Sequence, residues 1–333
     1  MAGDAPSAAA PRLDVARLAA LPRPLLIAAI PALASLVLFA ELPPRPYILH
    51  LVQKLGHPGV FALIAIAMIA LQLQPRPEGR PWRAYLIAFL TAVAIGAATE
   101  VGQVFTHRDP AVADVGLDAL GALCALALAA AFDRRVWDGW PRGTTVRLLA
   151  AALGLGLALA VLAPFAVGVL AYARRAYNFP VLFRADTGLD RYFLVHGRFT
   201  AETVAGADGG ASRRVLRVPL ARRPYDGVTI FEPSPDWRGF RALEVAVENP
   251  GAQPLDLTVR VDDRSHNGSF EDRYNGVFRV PPGARRQIEI ALDDIEAAPR
   301  GRRLDLAHVG PVVIFRAGAG GPDAFLLERV TLR

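Results

Sequence analysis

Cysteine is almost absent from this chain of 333 residues, because Cys124 is its only one. A single thiol forms no intramolecular disulfide, and metal or haem sites built on paired cysteines are excluded. Cys124 lies among alanines and leucines, where we interpret it as a small packing residue. Burial of apolar groups, and not covalent cross-linking, must therefore stabilise the fold.

Charge is also scarce, at 20% of residues against 53% hydrophobic ones. Lysine occurs once, at Lys54, so arginine carries nearly all of the positive charge. The arginines are spread over both halves and form no basic stripe interleaved with aromatic residues, so we predict no nucleic-acid partner. No phosphate-binding glycine loop or nucleophile elbow is present, and we predict no cofactor.

The apolar residues of the first half cluster in runs close to the roughly 20 residues that span the hydrocarbon of a bilayer. We therefore predict an α-helical transmembrane bundle of about five spans, with the lipid bilayer as its surroundings. A cleaved signal peptide is the alternative for the first run, although Leu-Pro-Pro-Arg-Pro after Glu41 is a poor cleavage site. The runs are Pro24 to Glu41, Gly59 to Leu73, Ala84 to Phe105, Val112 to Phe132 and Leu148 to Tyr172.

The arginines predict the orientation of these spans. With the N-terminus inside, the cytoplasmic segments carry most of the arginine of the first half, as the positive-inside rule requires. Five spans then place everything after about Ala173 outside the cytoplasm. The composition, rich in arginine and nearly free of lysine, favours a bacterial cytoplasmic (inner) membrane.

After about Tyr177 the pattern changes to short apolar runs with period-two alternation, separated by Gly, Pro, Asn and Asp. We predict an all-β sandwich of jelly-roll type. The predicted domains are a cytoplasmic leader (1–23), a transmembrane helical domain (24–172), a tether (173–189) and an extracytoplasmic sandwich (190–333). The predicted strands are Arg191 to His196, Arg214 to Val218, Gly227 to Phe231, Ala242 to Glu248, Leu255 to Val261, Gly276 to Val280, Gln287 to Ala291, Val309 to Phe315 and Ala324 to Leu332.

Polar residues at helical spacing lie at the ends of the apolar runs. Glu100, Gln103 and His107 share one helix face, and Asp114 and Asp118 share another. The connection between the two helices is short, so Glu100 and Asp118 are expected at a similar depth. Two carboxylates close together in low dielectric require a proton or a cation between them, and Arg108, Lys54 and the histidines are the available cations. The alternative is that these side chains only join helices through hydrogen bonds.

At these residues the chain resembles the VanZ-like family of integral membrane proteins, named after a glycopeptide-antibiotic resistance protein. The resemblance rests on Lys54-Leu-Gly-His57, followed in order by the residues Glu100, Gln103, Arg108, Asp114, Asp118 and Gly121, and it covers about residues 42–135. Gln53, Pro58 and Phe61 depart from the family pattern. The resemblance implies a membrane protein of the cell envelope, without a settled reaction.

The second half resembles carbohydrate-binding-module-like sandwiches of the galactose-binding type, over roughly residues 186–333. Asp236-Trp-Arg-Gly-Phe240 and Glu271-Asp-Arg-Tyr-Asn275 carry this resemblance. Sugar binding needs an aromatic platform and planar polar groups. The candidate glycan-binding residues are Trp237, Asp272, Arg273, Tyr274 and Asn275. The alternative for Trp237 is a place in the core of the sandwich.

Three functions follow from the sequence. The first is a non-enzymatic envelope protein whose outward polar cluster recognises a polar or anionic headgroup, such as that of a lipid-linked glycan, and whose sandwich binds cell-wall saccharide. The second is a membrane-embedded enzyme acting on a polyprenyl pyrophosphate or glycolipid. The third is an anchored assembly protein without an intramembrane site. We predict no metal site, because one requires His57 and the carboxylates to converge within ligand distance.

Overall fold

A computed structural model describes residues 21–43, 45–73, 81–106, 111–137, 142–195, 197–205 and 211–333. The chain forms two compact units, Met1–Ala166 and Val167–Arg333. The first is helical, and the second is built on two β-sheets.

The described helices follow the apolar runs of the sequence. Each long helix is rich in Ala and Leu, which are strong helix formers. A short 3₁₀ segment, Val104–Thr106, continues the third helix. The helices are α1 (Arg23–Phe39), α2 (Tyr47–Leu73), α3 (Pro81–Gln103), α4 (Val112–Phe132), α5 (Arg134–Trp137), α6 (Gly143–Asn178) and, in the second unit, α7 (Leu292–Ala297).

Four of these helices, α2, α3, α4 and α6, are long and apolar enough to cross a membrane. The first predicted span is shorter, since α1 has 17 residues and measures about 26 Å at 1.5 Å per residue. A hydrocarbon core of about 30 Å is longer than this helix, although 17 residues is the lower end of the range for transmembrane helices. A described helix lies at each of the five predicted spans, while the number of spans stays a prediction.

Glycines let the helices of the first unit approach closely. A Cβ at Gly154 of α6 would lie 2.6 Å from Leu128 Cγ of α4, and the Gly154 carbonyl accepts a hydrogen bond from the thiol of Cys124 at 3.3 Å. Cys124 is therefore a packing residue, as predicted. The bundle core around α2, α3 and α4 includes Phe61, Ile64, Ile69, Ala88, Ala92, Ala122 and Leu126.

Regular structure is present within the predicted tether at residues 173–189. Helix α6 continues to Asn178, and strand β1 (Val181–Arg184) pairs with the sheet of the second unit. Arg174 of α6 donates two parallel hydrogen bonds to Asp190, at 2.7 and 3.1 Å. These contacts, all inside the second unit, fix the segment that the sequence pattern left without structure.

The second unit contains two antiparallel sheets. The six-stranded sheet has the order β3-β4-β11-β6-β9, with β1 also on β11, and the five-stranded sheet has the order β2-β5-β10-β7-β8. All nine predicted strands are confirmed, while β1 and β3 were missed. The remaining strands are β2 (Leu194–Val195), β3 (Thr200–Val204), β4 (Arg213–Pro219), β5 (Asp226–Ile230), β6 (Ala242–Glu248), β7 (Leu255–Asp263), β8 (Tyr274–Val280), β9 (Arg285–Ala291), β10 (Val309–Arg316) and β11 (Ala324–Leu332).

Alternating apolar residues of both sheets share one core. In β7, every second residue from Leu255 to Val261 is buried, and these side chains meet those of β6 and β11 from the other sheet. Trp237, which is 0% exposed, belongs to the same core. The second unit is therefore a two-sheet sandwich with its own hydrophobic core.

Candidate functional site

Three buried polar side chains meet inside the helical unit. His57 of α2, Glu100 of α3 and Asp118 of α4 each present one donor atom, and these atoms lie within 4.8 Å of one another. His57 Nδ1 and Asp118 Oδ1 are 3.3 Å apart. The side chains belong to three different helices, so packing of the bundle creates the cluster.

Two glycines place Asp118 in this cluster. A Cβ at Gly121 would lie 2.1 Å from the Pro58 carbonyl oxygen, so α4 meets α2 backbone to backbone one turn from Asp118. At Gly96 of α3 a Cβ would lie 3.1 Å from Asp118 Oδ2. Small residues at these two positions therefore allow a carboxylate to enter the centre of the three-helix contact.

The first turn of α4 positions Glu100. The backbone N–H of Ala111, the residue before α4, donates a hydrogen bond to Glu100 Oε2 at 2.9 Å. This bond satisfies Oε2 and leaves the second oxygen, Oε1, without a hydrogen-bond partner among the described residues.

Several polar atoms of the cluster lack hydrogen-bond partners. No described residue forms a hydrogen bond with His57 Nδ1, with Glu100 Oε1 or with either carboxylate oxygen of Asp118. The three residues are 6%, 4% and 0% exposed, so bulk solvent does not reach these atoms. Unpaired buried polar atoms are costly, and four of them on three neighbouring side chains indicate a shared ligand or proton.

The other residues predicted for this site lie around the cluster. Gln103 is buried on α3, one turn after Glu100, whereas Lys54 is exposed one turn before His57. Asp114 is partly exposed in the first turn of α4, within electrostatic range of His50 and His57. Arg108 lies outside the described residues, as does His107.

Trp237 does not offer a platform for sugar. Its side chain is completely buried and its indole N–H donates to the Ser234 carbonyl at 2.7 Å. The prediction that it binds glycan is wrong, because a sugar-stacking ring must have an accessible face. The residue belongs to the core, which was the alternative from the sequence.

Asp272, another of the predicted glycan-binding residues, holds a loop in place through hydrogen bonds and an ion pair. Arg302 bridges Asp272 and Asp263, and the backbone N–H of Asn267 donates to Asp272 Oδ2 at 2.8 Å. Hydrogen bonds from Arg302 and the backbone lower the pKa of Asp272. Burial raises the pKa of Asp263, but the Arg302 guanidinium and the backbone amides outweigh it and hold that pKa below its usual range. This clamp fixes the loop between β7 and β8.

The other three predicted residues line an open pocket of about 310 Å³ at the start of β8. The ring of Phe270 is 67% exposed at this pocket, and the guanidinium of Arg273 lies 5.3 Å from its centroid. Asn275 donates to the Phe270 carbonyl at 3.3 Å, which ties the strand to the preceding turn. The lining residues are Phe270, Glu271, Arg273, Tyr274, Asn275, Asp294, Ala298 and Arg300.

Four polar or aromatic residues of this pocket were missed from the sequence: Phe270, Glu271, Asp294 and Arg300. Phe270 stands in a turn after Asn-Gly-Ser, where a solvated aromatic residue is a usable signal of binding. Asp294 lies on α7, a helix of 6 residues that has no periodic pattern long enough to be recognised. Asp294 could therefore be assigned to the pocket only from the folded structure.

No family model matches the chain, and no curated protein matches it either. Solved structures are similar to part of it. An exo-β-agarase is 16% identical with a TM-score of 0.38, over 46% of this chain and 24% of the agarase chain. A family 11 carbohydrate-binding module from Clostridium thermocellum, in complex with a β-1,3-1,4-mixed-linked tetrasaccharide, is 14% identical with a TM-score of 0.34, over 46% of this chain and 93% of the module.

A further similar structure is the CBM22-1 xylan-binding domain from a Paenibacillus barcinonensis protein. It is 14% identical with a TM-score of 0.29, over 42% of this chain and 84% of that domain. The chain therefore spans most of the length of the isolated modules but only 24% of the agarase.

Proposed function

We propose that this chain is a multi-pass membrane protein of the bacterial envelope whose extracytoplasmic sandwich binds saccharide at the pocket of Tyr274. The pocket itself carries this proposal, because an exposed aromatic ring, a second aromatic ring and several hydrogen-bonding side chains surround one opening. The four long apolar helices α2, α3, α4 and α6 support the membrane location.

The chemistry of the pocket suits a sugar better than a purely apolar ligand. Phe270 and Tyr274 offer apolar surface to the C–H faces of a pyranose ring. Arg273, Asn275 and Arg300 supply donors for its hydroxyl groups, and Glu271 and Asp294 supply acceptors. The clamp of Arg302 on Asp272 and Asp263 holds the loop before binding, which lowers the conformational cost of association.

The test uses the full-length protein in detergent micelles. Affinity electrophoresis and titration calorimetry are run with mixed-linkage β-glucan, xylan and soluble peptidoglycan fragments. We expect retention by at least one of these polymers, and loss of about 1–3 kcal/mol of binding free energy on truncation of a stacking ring in Phe270→Ala or Tyr274→Ala.

Tyr225→Ala is the matched control, because Tyr225 is 75% exposed and lies outside the pocket. It should bind like the wild type. Absence of retention by every polymer, or equal weakening in Tyr225→Ala, would contradict the proposal.

A second proposal concerns the helical unit, which we propose recognises an anionic headgroup at the outer leaflet, in keeping with the VanZ-like resemblance. The convergence of His57, Glu100 and Asp118 supports it, because these residues of the ordered motif meet in space. Lys54 is exposed one turn before His57. Among the described residues, it is the cation next to this cluster that a phosphate would contact.

Native mass spectrometry of the protein in nanodiscs containing polyprenyl pyrophosphate tests this second proposal. We expect bound lipid in the wild type and less in Lys54→Gln, with Arg83→Gln on α3 as the matched cation control. Equal lipid binding in both variants would contradict headgroup recognition at this end of the bundle. Release of inorganic phosphate, lost in Glu100→Gln, would establish the enzymatic alternative.

The proposed orientation places the N-terminus in the cytoplasm and the sandwich outside. An exposed position of the sandwich such as Ala252 can be replaced by cysteine in a Cys124→Ser background. We expect a membrane-impermeant maleimide to label Ala252→Cys in intact spheroplasts. Labelling only after lysis would place the sandwich in the cytoplasm instead.

A further inference from the structure

We infer that His57, Glu100 and Asp118 form a binding site for one divalent transition-metal ion inside the helical bundle. The inference concerns the chain's own donor atoms and does not depend on either ligand proposed above. It rests on the geometry of the three donors, on their charge and on the hydrogen bonds that they lack.

The donor atoms are close to ligand geometry. Ligands about 2.1 Å from a tetrahedral ion lie about 3.4 Å from one another, and His57 Nδ1 and Asp118 Oδ1 are 3.3 Å apart. All three donors lie within 4.8 Å of one another. A small rotation of the Glu100 carboxylate therefore completes a three-ligand face, with further positions left for water or substrate.

Charge favours a dication at this place. Glu100 and Asp118 are 4% and 0% exposed, and two carboxylates at this depth repel each other in low dielectric. No described Lys or Arg forms an ion pair with either side chain, and the cation within reach of Asp118 is His57 itself when it is protonated. One M²⁺ ion with two carboxylates and a neutral imidazole gives a site of zero net charge, which reduces the cost of burial.

The missing hydrogen bonds are the second observation that points to a ligand. Both oxygens of Asp118, Glu100 Oε1 and His57 Nδ1 have no hydrogen-bond partner among the described residues, although all three side chains are more than nine-tenths buried. These are the lone-pair atoms that a metal uses. A cluster made only to join helices would instead pair them with donors on neighbouring helices.

Neighbouring groups position two of the three ligands, Glu100 and Asp118, as they do in known metal sites. The Ala111 N–H bond holds Oε2 of Glu100, while Oε1 is left without a hydrogen-bond partner among the described residues. Gly96 and Gly121 leave room for the Asp118 carboxylate between α2 and α3. Ligand carboxylates in metalloproteins are oriented by hydrogen bonds of this kind.

The donor set discriminates among ions. Ca²⁺ and Mg²⁺ prefer all-oxygen sites with six or more ligands, whereas an imidazole with two carboxylates suits Zn²⁺, Mn²⁺ or Fe²⁺. Zn²⁺ is the first probe because imidazole and carboxylate are among its usual ligands and it has no redox chemistry.

The experiment uses full-length protein in detergent with its affinity tag removed, stripped by a chelator and then equilibrated with micromolar Zn²⁺. Elemental analysis by mass spectrometry gives the metal content per chain. We expect one Zn²⁺ per wild-type chain and at least about a hundredfold weaker binding in Asp118→Asn and Glu100→Gln, since even partners of ligands change metal affinity by 10–100-fold. X-ray absorption of the wild type should show an N/O shell that includes a single imidazole.

Glu41→Gln is the matched control for Glu100→Gln, because Glu41 is exposed outside the cluster. It should retain the ion. Zinc that remains in the Glu100→Gln and Asp118→Asn variants would be an adventitious ion only, and would overturn the inference.

Two measurements on the wild type decide the matter if those variants do not fold. Zn²⁺ should raise the midpoint of thermal unfolding of the wild type and of Glu41→Gln, as for any ligand that binds the native state alone. An unchanged midpoint, or absence of stoichiometric Zn²⁺ and Mn²⁺ in the wild type, overturns the inference.

Discussion

Gly121 and Pro58 are in backbone contact across two helices. A Cβ added at Gly121 would lie 2.1 Å from the carbonyl oxygen of Pro58 and 2.5 Å from its Cα. Backbone atoms cannot move aside as the end of a side chain can, so α2 and α4 would have to separate. His57 and Asp118 flank this contact, and its geometry therefore determines theirs.

Gly121→Ala should destabilise the helical unit for this reason. Overpacking in a core typically costs about 1–3 kcal/mol, and a clash with backbone lies at the upper end of that range. We expect a lower midpoint of thermal unfolding in detergent and a smaller monodisperse fraction. The same variant should weaken Zn²⁺ binding, because separation of α2 and α4 moves Asp118 from His57.

Gly116→Ala on the same helix is the matched control, since no atom lies within 4 Å of a Cβ at this position. Alanine at an open helical position is about 0.5–1 kcal/mol more favourable than glycine. Gly116→Ala should therefore be neutral or stabilising. A loss of stability as large as that of Gly121→Ala would show that the backbone contact is not the cause.

Arg302→Ala should strongly destabilise the sandwich. Its guanidinium pairs with the carboxylates of both Asp263 and Asp272, whose side chains are 0% and 9% exposed. Removal of one partner from a fully buried ion pair costs about 3–5 kcal/mol, because the remaining charge is left uncompensated, and the partial exposure of Arg302 places the expected loss below that range. Hydrogen exchange measured by mass spectrometry should show faster exchange in the loop between β7 and β8.

Arg303→Ala, at the next residue, is the control because it removes an exposed ion pair. Its guanidinium side chain is 78% exposed and pairs with Glu296 at 3.1 Å. Exposed pairs of this kind are worth about 0–1 kcal/mol. Equal effects of the two variants would contradict the structural role of Arg302.

The stability of the sandwich should decrease at low pH through the same clamp. The pKa values of Asp263 and Asp272 are lowered in the folded state. The contribution of such a group to the free energy of unfolding is fully present above its unfolded pKa of about 3.9. It is lost as the pH falls through the lower, folded-state pKa, because the unfolded chain binds the proton more tightly.

We therefore expect no change from this clamp between pH 7 and about pH 5, and a progressive loss below about pH 4. Asp272→Asn should be less stable at neutral pH and should show a shallower decrease in acid. Hydrogen exchange of the β strands between pH 5 and 3 gives the comparison. Parallel profiles of wild type and variant would show that Asp272 does not contribute to the acid sensitivity.

Trp237 should matter for stability and not for sugar affinity. The side chain is 0% exposed and its N–H is bonded to the Ser234 carbonyl. Trp237→Phe leaves this carbonyl without its donor and leaves a small cavity, which we expect to cost about 1–3 kcal/mol. Titration calorimetry of the folded variant with a bound glycan should give the wild-type dissociation constant, and a weakened one would return Trp237 to the binding site.

The fold was largely predictable because its two halves have different periodicities. Long apolar runs located α1 to α4 and α6, and alternation located the strands from β4 onward, since burial of one face imposes a period of two. Strand β1 could not be found in this way. Its residues follow a helix directly, and its pairing partner β11 is distant in the sequence.

The candidate sites were predictable only in part. Helical spacing gathered Glu100 and Asp118 on facing helices, but the convergence with His57 depends on the contact of Gly121 with Pro58, which no sequence spacing reveals. In the sandwich, the sequence identified residue types that are suited to sugar binding. It did not show which of these side chains are exposed. Trp237 and Tyr274 have similar chemistry, yet burial assigns one to the core and leaves the other at the pocket.

The pairing of β11 has a consequence for biosynthesis. This strand, Ala324–Leu332, joins β1, β4 and β6 within one sheet. Synthesis proceeds from the N-terminus at about 5–20 residues per second, so β1 waits about 7 to 30 s for the strand that it pairs with. During this interval the edges of β1, β4 and β6 that pair with β11 remain open, and the sheet is completed only at the end of synthesis.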